Sequence, residues 1–212
     1  MSPVSFEIVG ARVEAYAAVP TLMLRLRIIA ADAEPIHAMA LRSQIMIEPK
    51  RRQYNSEEER RLTEMFGETP RWGDTLQPFL WTNVSLTVSG FTGDCEIDLP
   101  ITCTYDFEIA SAKYMHSLDS GEIPLVALFS GTVFSRSAAG LKAAPVSWSE
   151  EASYRLPVTL WRDMMDLFFP NTGWLRLRRE TLDALHQYKS DRALLSWDET
   201  FEQLLKEAGE AV

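Results

Sequence analysis

The sequence predicts an α+β fold: an antiparallel β-sheet of about six to eight strands over the first three-quarters, with a sandwich-like form left open, one short inserted helix, and about three C-terminal helices. Three observations lead there. Apolar residues recur with period two through most of the chain, the spacing turns helical from Thr159 onward, and strands precede helices instead of alternating with them. Residues 1–212 read as a single α+β domain, mainly β over 1–158 and mainly helical over 159–212.

Leu22, Leu24, Leu26 and Ile28 alternate with Met23, Arg25 and Arg27, which sets one strand face on a core and the other in water. Phe6 and Ile8 before them, and Leu41, Ser43, Ile45 and Ile47 after them, continue the pattern. Turn signals at Ala31-Asp32-Ala33-Glu34-Pro35 and Glu48-Pro49 make a three-stranded antiparallel meander the expected arrangement. Ser56-Glu57-Glu58-Glu59 reads as a capping box with Ser56 as N-cap; Leu62, Met65 and Phe66 then share a helical face that Gly67 ends. Arg71-Trp72-Gly73-Asp74 reads as a turn, followed by a strand in which Thr82, Val84, Leu86 and Val88 alternate with Trp81, Asn83, Ser85 and Thr87.

Between Cys95 and Ile109 every odd position is apolar, with Pro100 on the even, outward set, as suits an edge strand or a break between two strands. Ala110 to Leu118 reads as a short helix ended by Asp119-Ser120-Gly121, and Ile123 to Phe134 as a strand covered on both faces. Ser135 to Ser153, rich in Ala, Gly, Ser and Pro, reads as a long loop or linker, and Tyr154, Leu156 and Val158 as a last strand. Leu160, Trp161, Met164, Leu167 and Phe168 mark a helix closed by Pro170-Asn171-Thr172-Gly173; Leu182, Leu185 and Tyr188 mark a second. Ser196-Trp197-Asp198-Glu199 is another capping box, opening a third helix through Phe201, Leu204, Leu205 and Ala208.

With 46% hydrophobic and 24% charged residues, the composition is that of a globular chain able to build a real core. A net charge of −9 argues against nucleic acid or an anionic membrane as partner. The N-terminus lacks a basic n-region and an apolar h-region, and no apolar run approaches the ~20 residues of a membrane span, so a cytoplasmic protein is expected. Two cysteines make no disulfide framework. Cys95 and Cys103 lie on one face of a predicted strand, roughly 26 Å apart if it is straight, and read as small buried apolar residues unless a turn at Pro100 brings them together.

Chemical motifs are sparse. His37, His116 and His186 have no second ligand at helical or strand spacing, so no metal is expected. No G-x-S-x-G, P-loop or G-x-G-x-x-G occurs, and Ser130 reads as a core or turn serine; no cofactor and no catalytic residue is assigned. Asp94/Glu96 and Asp106/Glu108 lie on an outward strand face. Two segments stand out as partner surfaces. The first carries Arg71, Trp72, Phe79 and Trp81; the second carries Trp174, Arg176, Arg178 and Arg179 behind Phe168 and Phe169. Trp and Arg are enriched where proteins bind proteins, although core anchoring explains the aromatics as well, and Arg178 and Arg179 have Glu180 and Asp183 nearby as partners. A further basic cluster, Lys50-Arg51-Arg52 with Arg60 and Arg61, is largely offset by Glu57, Glu58 and Glu59.

The runs PRWGDTLQPFLW (70–81), FTGDCEIDLP (91–100), TYDFEIASAKYMHSLDSGEIPLVALFSGTVF (104–134), FFPNTGWLRLRRETLDALHQYK (168–189) and SWDETFEQLL (196–205) resemble an uncharacterised bacterial family of domains of unknown function. That family is associated with actinobacterial-type high-affinity uptake NiFe-hydrogenase gene clusters, and the resemblance covers nearly the whole chain. It implies no catalytic residues. It does imply an accessory or assembly role beside a metalloenzyme, which agrees with a chain lacking ligand clusters and nucleophile motifs. The expected function is a non-enzymatic accessory protein binding a protein partner, a hydrogenase subunit or maturation factor. The alternative is a small-ligand-binding protein or enzyme with a pocket between sheet and helices, using Tyr105, Asp106 or His116. Self-association is a third reading.

Overall fold

The two-residue period builds two sheets. The computed structural model describes residues 2–31, 35–103, 109–137, 140–172 and 175–210. In it the chain divides into two compact units, Met1–Trp174 and Leu175–Val212. The first unit holds eight antiparallel strands: β1 (Val4–Val13), β2 (Thr21–Ala30), β3 (Ile36–Ile47), β4 (Phe79–Phe91), β5 (Asp94–Thr102), β6 (Glu122–Ser137), β7 (Gly140–Pro145) and β8 (Glu151–Pro157). One sheet has the order β1-β2-β5; the other has the order β4-β3-β6-β7, with β8 paired to the first half of β6. With the helices described below, the fold is α+β.

The sheets face each other across one core. Leu22, Leu24, Leu26 and Ile28 of β2 are fully buried, as are Met39, Ile45 and Ile47 of β3, and the rings of Phe6 and Phe129 stack between the sheets at 4.1 Å. β1 lies against β8 and β4 against β5. The expected meander stops after two strands: β1 pairs with β2, but β3 crosses to the second sheet. Alternation cannot tell these arrangements apart, because a strand buries every second residue whether its neighbour lies beside it or opposite it. β5 is an edge strand, and Pro100 stands exposed in it opposite Met23. The continuation of its alternation over 104–108 lies outside the described residues.

β6 is buried on both faces only from Ile123 to Ala127, beyond which Leu128 and Ser130 are exposed. The expected loop at 135–153 is a correction: β6 runs to Ser137 and returns as β7, leaving Val146–Glu150 as the turn into β8. Ala, Gly and Lys suffice for β7 because it is an exposed edge and has no core face to fill. Residues 138–139 lie outside the described part.

Helix α1 (Ser56–Phe66) carries its capping box one residue earlier than the sequence suggested. Asn55 is the N-cap, its Oδ1 accepting from the N–H groups of Glu57 and Glu58, and Glu58 returns to the Asn55 N–H. The register puts Glu58, not Glu59, where it also meets Arg52. Leu62 and Phe66 are buried as expected, and Gly67 ends the helix at φ 74°. The expected turn at 71–74 is instead a single helical turn, α2 (Trp72–Thr75). α3 (Ala110–His116) and α4 (Val158–Phe168) complete the unit, and α4 buries Trp161, Met164 and Met165.

The second unit is a helical hairpin of α5 (Arg179–Asp191) and α6 (Trp197–Ala208). Ser196 caps α6 by accepting the Glu199 N–H at 3.1 Å; Glu199 reaches the Leu195 N–H at 2.8 Å and not that of the cap. Lys189 donates to the carbonyls of Leu194 and Leu195, tying the end of α5 to the connection. His186 packs edge-on against Trp197 at 4.8 Å, and Arg192 lies over the Tyr188 ring while pairing with Glu207.

Candidate partner-binding surfaces

The aromatic side chains of segment 71–81 pack against the core. Trp72 is 7% exposed, and its Nε1–H donates to the Gly67 carbonyl at 2.8 Å, so the indole is buried with its one polar atom satisfied. It meets Tyr54 and Phe66 edge to face. Phe79 packs on Phe66 and Tyr114, and Trp81 is half-buried where β4 bulges against β3. Tyr54 donates to the Pro49 carbonyl and accepts from the Tyr114 hydroxyl at 2.8 Å; burial pushes Tyr54 upward and Tyr114 up to about 12, so both stay protonated. Arg71, Asp74, Gln77, Pro78 and Leu80 are the exposed side chains of the segment.

The basic segment is different. Phe168 and Phe169 lean on the core of the first unit, Trp174 lies outside the described residues, and Leu175, Arg176, Arg178 and Arg179 are all exposed. Glu180 and Asp183 do not pair with the arginines. Among the described residues Arg176, Arg178 and Arg179 make no ion pair. Arg178 is the N-cap of α5 and Arg179 its first residue, at the end where the helix dipole repels cations. Arg42, Arg71, Arg136, Lys142 and Lys206 likewise make no ion pair among the described residues, whereas the cations of the first sheet are tied down. Arg12, Arg25 and Arg27 are tied to Glu14, Asp98, Glu96 and Glu7 across the outer face of the β1-β2-β5 sheet.

In the basic cluster at Lys50–Arg52, Arg52 serves the fold. Arg52 is 8% exposed and pairs with Glu58, itself 2% exposed, at 2.8 Å, while donating to the carbonyls of Gln53, Ser120 and Glu122. Glu58 Oε1 also accepts the Asp119 N–H at 2.8 Å, and Asp119 takes Arg61 and Asn55. Those contacts hold the Asp119 carboxyl below its usual range, with the Arg61 hydrogen bond the largest cause. Beside this clamp, Lys50, Arg51, Gln53 and Arg155 line an open concavity of about 660 Å³. The sequence signal for the clamp was present in Asn55…Glu58, one residue out of the register first read.

Of the residues named for a ligand pocket, Tyr105 and Asp106 lie outside the described residues. His116 packs its ring edge-on against Trp161 at 4.6 Å, and burial, with Arg162 nearby, lowers its pKa to about 4. Tyr114, Met115 and Trp161 on the same two helices are buried. Ser130 is neither core nor turn: it stands exposed beside Arg42 on the outer face of the second sheet. Cys95 and Cys103 are free thiols; Cys103 is buried, which pushes it up to about 12, and Cys95 is half-buried. Among the described residues no group of three or more His, Cys, Asp or Glu is placed to hold a metal ion. No helix there is long and apolar enough to cross a membrane.

These features define a two-sheet α+β unit with packed helices, followed by a helical hairpin whose basic approach makes no ion pair among the described residues. The chain belongs to the family described as "Family of unknown function (DUF6084)", whose model matches residues 1–212. No curated protein matches the sequence. Two structures of β-glucosidase from Kluyveromyces marxianus, one selenomethionine-labelled and one in complex with glucose, align at 5% and 9% identity with TM-scores of 0.27 and 0.25. Each alignment covers 73% of this chain, which spans 15% of the length of those enzymes. A likeness that weak carries no argument.

Proposed function

We propose that the protein is a non-enzymatic accessory or assembly protein that binds a protein partner through the stretch Leu175–Arg179. One observation carries this reading: three exposed arginines without an ion pair among the described residues, set against the positive end of a helix dipole beside Leu175, which is 64% exposed. Such an arrangement costs the free protein favourable pairing, and an acidic partner surface with a small apolar pocket would supply it. Trp72, 7% exposed, packs within the fold and adds little to this surface. The family resemblance supplies the partner class, a hydrogenase subunit or maturation factor.

The test is a native pull-down of the tagged protein from a host expressing the hydrogenase, with an untagged strain as control. The comparison is with a variant carrying Arg176→Glu, Arg178→Glu and Arg179→Glu. Stoichiometric recovery of hydrogenase subunits or maturation factors by wild type, lost in the variant while its circular dichroism is unchanged, is the expected result. Equal recovery by both proteins would place the surface elsewhere. Recovery of the protein alone would remove the accessory reading.

A further inference from the structure

Among the described residues the two sheets leave five strands with one edge unpaired, and they are not alike. β1 carries Glu7 and Arg12 and a bulge at Val9; β5 carries Asp94, Glu96, Asp98 and Pro100. β7 has six residues with Lys142 and a terminal Pro145, and β8 has Glu151, Arg155 and Pro157. These are the means by which proteins keep strand edges from pairing with other chains: charge, proline, bulges and shortness. β4 is the exception. It is thirteen residues long and contains no charged residue and no proline.

Its one bulge, at Trp81, comes near the start, so the register from Thr82 to Ser89 is uninterrupted against β3. Along that run β4 pairs with β3 alone, and the backbone groups of its other edge bond to nothing among the described residues. The sequence Thr82-Asn83-Val84-Ser85-Leu86-Thr87-Val88-Ser89 is rich in β-branched residues, which favour the strand state. Beside it, between β4 and β5, an open groove of about 530 Å³ exposes Leu86, Phe91 and Ile97. A free edge of this kind is a template for one more strand.

We infer that β4 pairs antiparallel with β4 of a second copy of the chain, joining the two larger sheets into one. Self-complementarity selects this occupant. About a two-fold axis perpendicular to the sheet, the outward row meets itself: Asn83, Ser85, Thr87 and Ser89, each both donor and acceptor, oppose the same row. The inward row of Val84, Leu86 and Val88 likewise opposes itself, and cross-strand hydroxyl and β-branched pairs are favourable. β4 brings no charged side chain to the junction, although Glu96 and Asp98 line the groove beside it and each copy carries −9 overall.

The inference is independent of the arginine surface, because it concerns the purified protein alone. Light scattering coupled to size exclusion, over about a hundredfold range of concentration, should show passage from 24.1 kDa to twice that mass. Added salt should shift the transition to lower concentration by screening the net charge. Ser85→Lys and Thr87→Lys, each on an exposed position and each entering the interface twice, should raise the dissociation constant at least tenfold with an unchanged folded spectrum. Single cysteines at Asn83, Ser85, Thr87 and Ser89, in a Cys95→Ser background, should crosslink at one position or two successive ones. Moving two residues off the axis separates a residue from its own copy by about 14 Å, beyond disulfide reach. A monomer at every concentration overturns the inference, as does a dimer indifferent to both lysines or a flat crosslinking profile.

Discussion

Replacing Glu58 by alanine should be among the most damaging single changes in the chain. The carboxylate is 2% exposed and accepts three hydrogen bonds, from Arg52 Nη2 and the Asp119 N–H at 2.8 Å each and from the Asn55 N–H at 3.1 Å. Truncation leaves Arg52, 8% exposed, as a buried cation with only carbonyl partners, and strips two backbone donors of their acceptor. Breaking a buried pair from one side costs about 3–5 kcal/mol, and that range already includes the stranded charge. Removing both charges should cost far less, since a buried pair replaced by apolar groups of similar volume is often near neutral. The cycle is therefore Glu58→Ala, Glu58→Gln and the double variant Arg52→Met with Glu58→Met, each unfolded in urea. Glu58→Ala should lower the stability by about 3 kcal/mol or more, and the double variant should recover at least half of that. A loss under about 1 kcal/mol for Glu58→Ala would mean that the network is no better than a surface ion pair and would refute the reasoning.

Gly131 adopts φ 151°, and a Cβ there would sit 2.1 Å from the Ala40 carbonyl oxygen, so Gly131→Ala should destabilise by at least about 2 kcal/mol. In the single-turn helix α2, where a Cβ meets nothing within 4 Å, Gly73→Ala should be neutral or stabilising by about 0.5 kcal/mol. His116 has its folded pKa lowered to about 4 from 6.5, so the unfolded chain takes up the proton first; the stability it contributes is full above pH 6.5 and is lost as pH falls toward 4. Thermal melts between pH 7 and 5 should show a smaller decline for His116→Leu than for wild type. Trp72→Ala should cost about 3–5 kcal/mol by urea unfolding, as for a large core aromatic, whereas Arg71→Ala should stay within about 0.5 kcal/mol.

Patterns that depend on one strand or helix were legible in the sequence. The alternation at Leu22–Ile28, the 62/66 face of α1 and the Ser196 cap each follow from neighbours within a few residues, and each stands as read. Patterns that depend on which strands meet were not. Leu41–Ile47 has the same period whether it extends a meander or faces it from a second sheet. The short exposed strand β7 lacked the apolar alternation on which strand recognition rests. For the candidate surfaces, sequence could pick out residue types but not their exposure. Trp72 and Arg178 had the same claim as binding residues, and only tertiary packing separates the buried indole from the exposed guanidinium.

The two surfaces answer oppositely to salt, which makes them separable in one preparation. Binding through Arg176, Arg178 and Arg179 draws on attraction between unlike charges, so added salt must weaken it. Pairing of the uncharged β4 edges brings together two chains of −9 each, and its electrostatic component is repulsive, so the same salt must strengthen it. The edge also costs nothing in the free protein beyond solvated backbone groups, whereas the arginines sit unfavourably at a helix N-terminus until something acidic meets them. A feature that is unfavourable in isolation is relieved only by its complement. The arginine surface should therefore discriminate between partners by charge, while the β4 edge discriminates by shape and register.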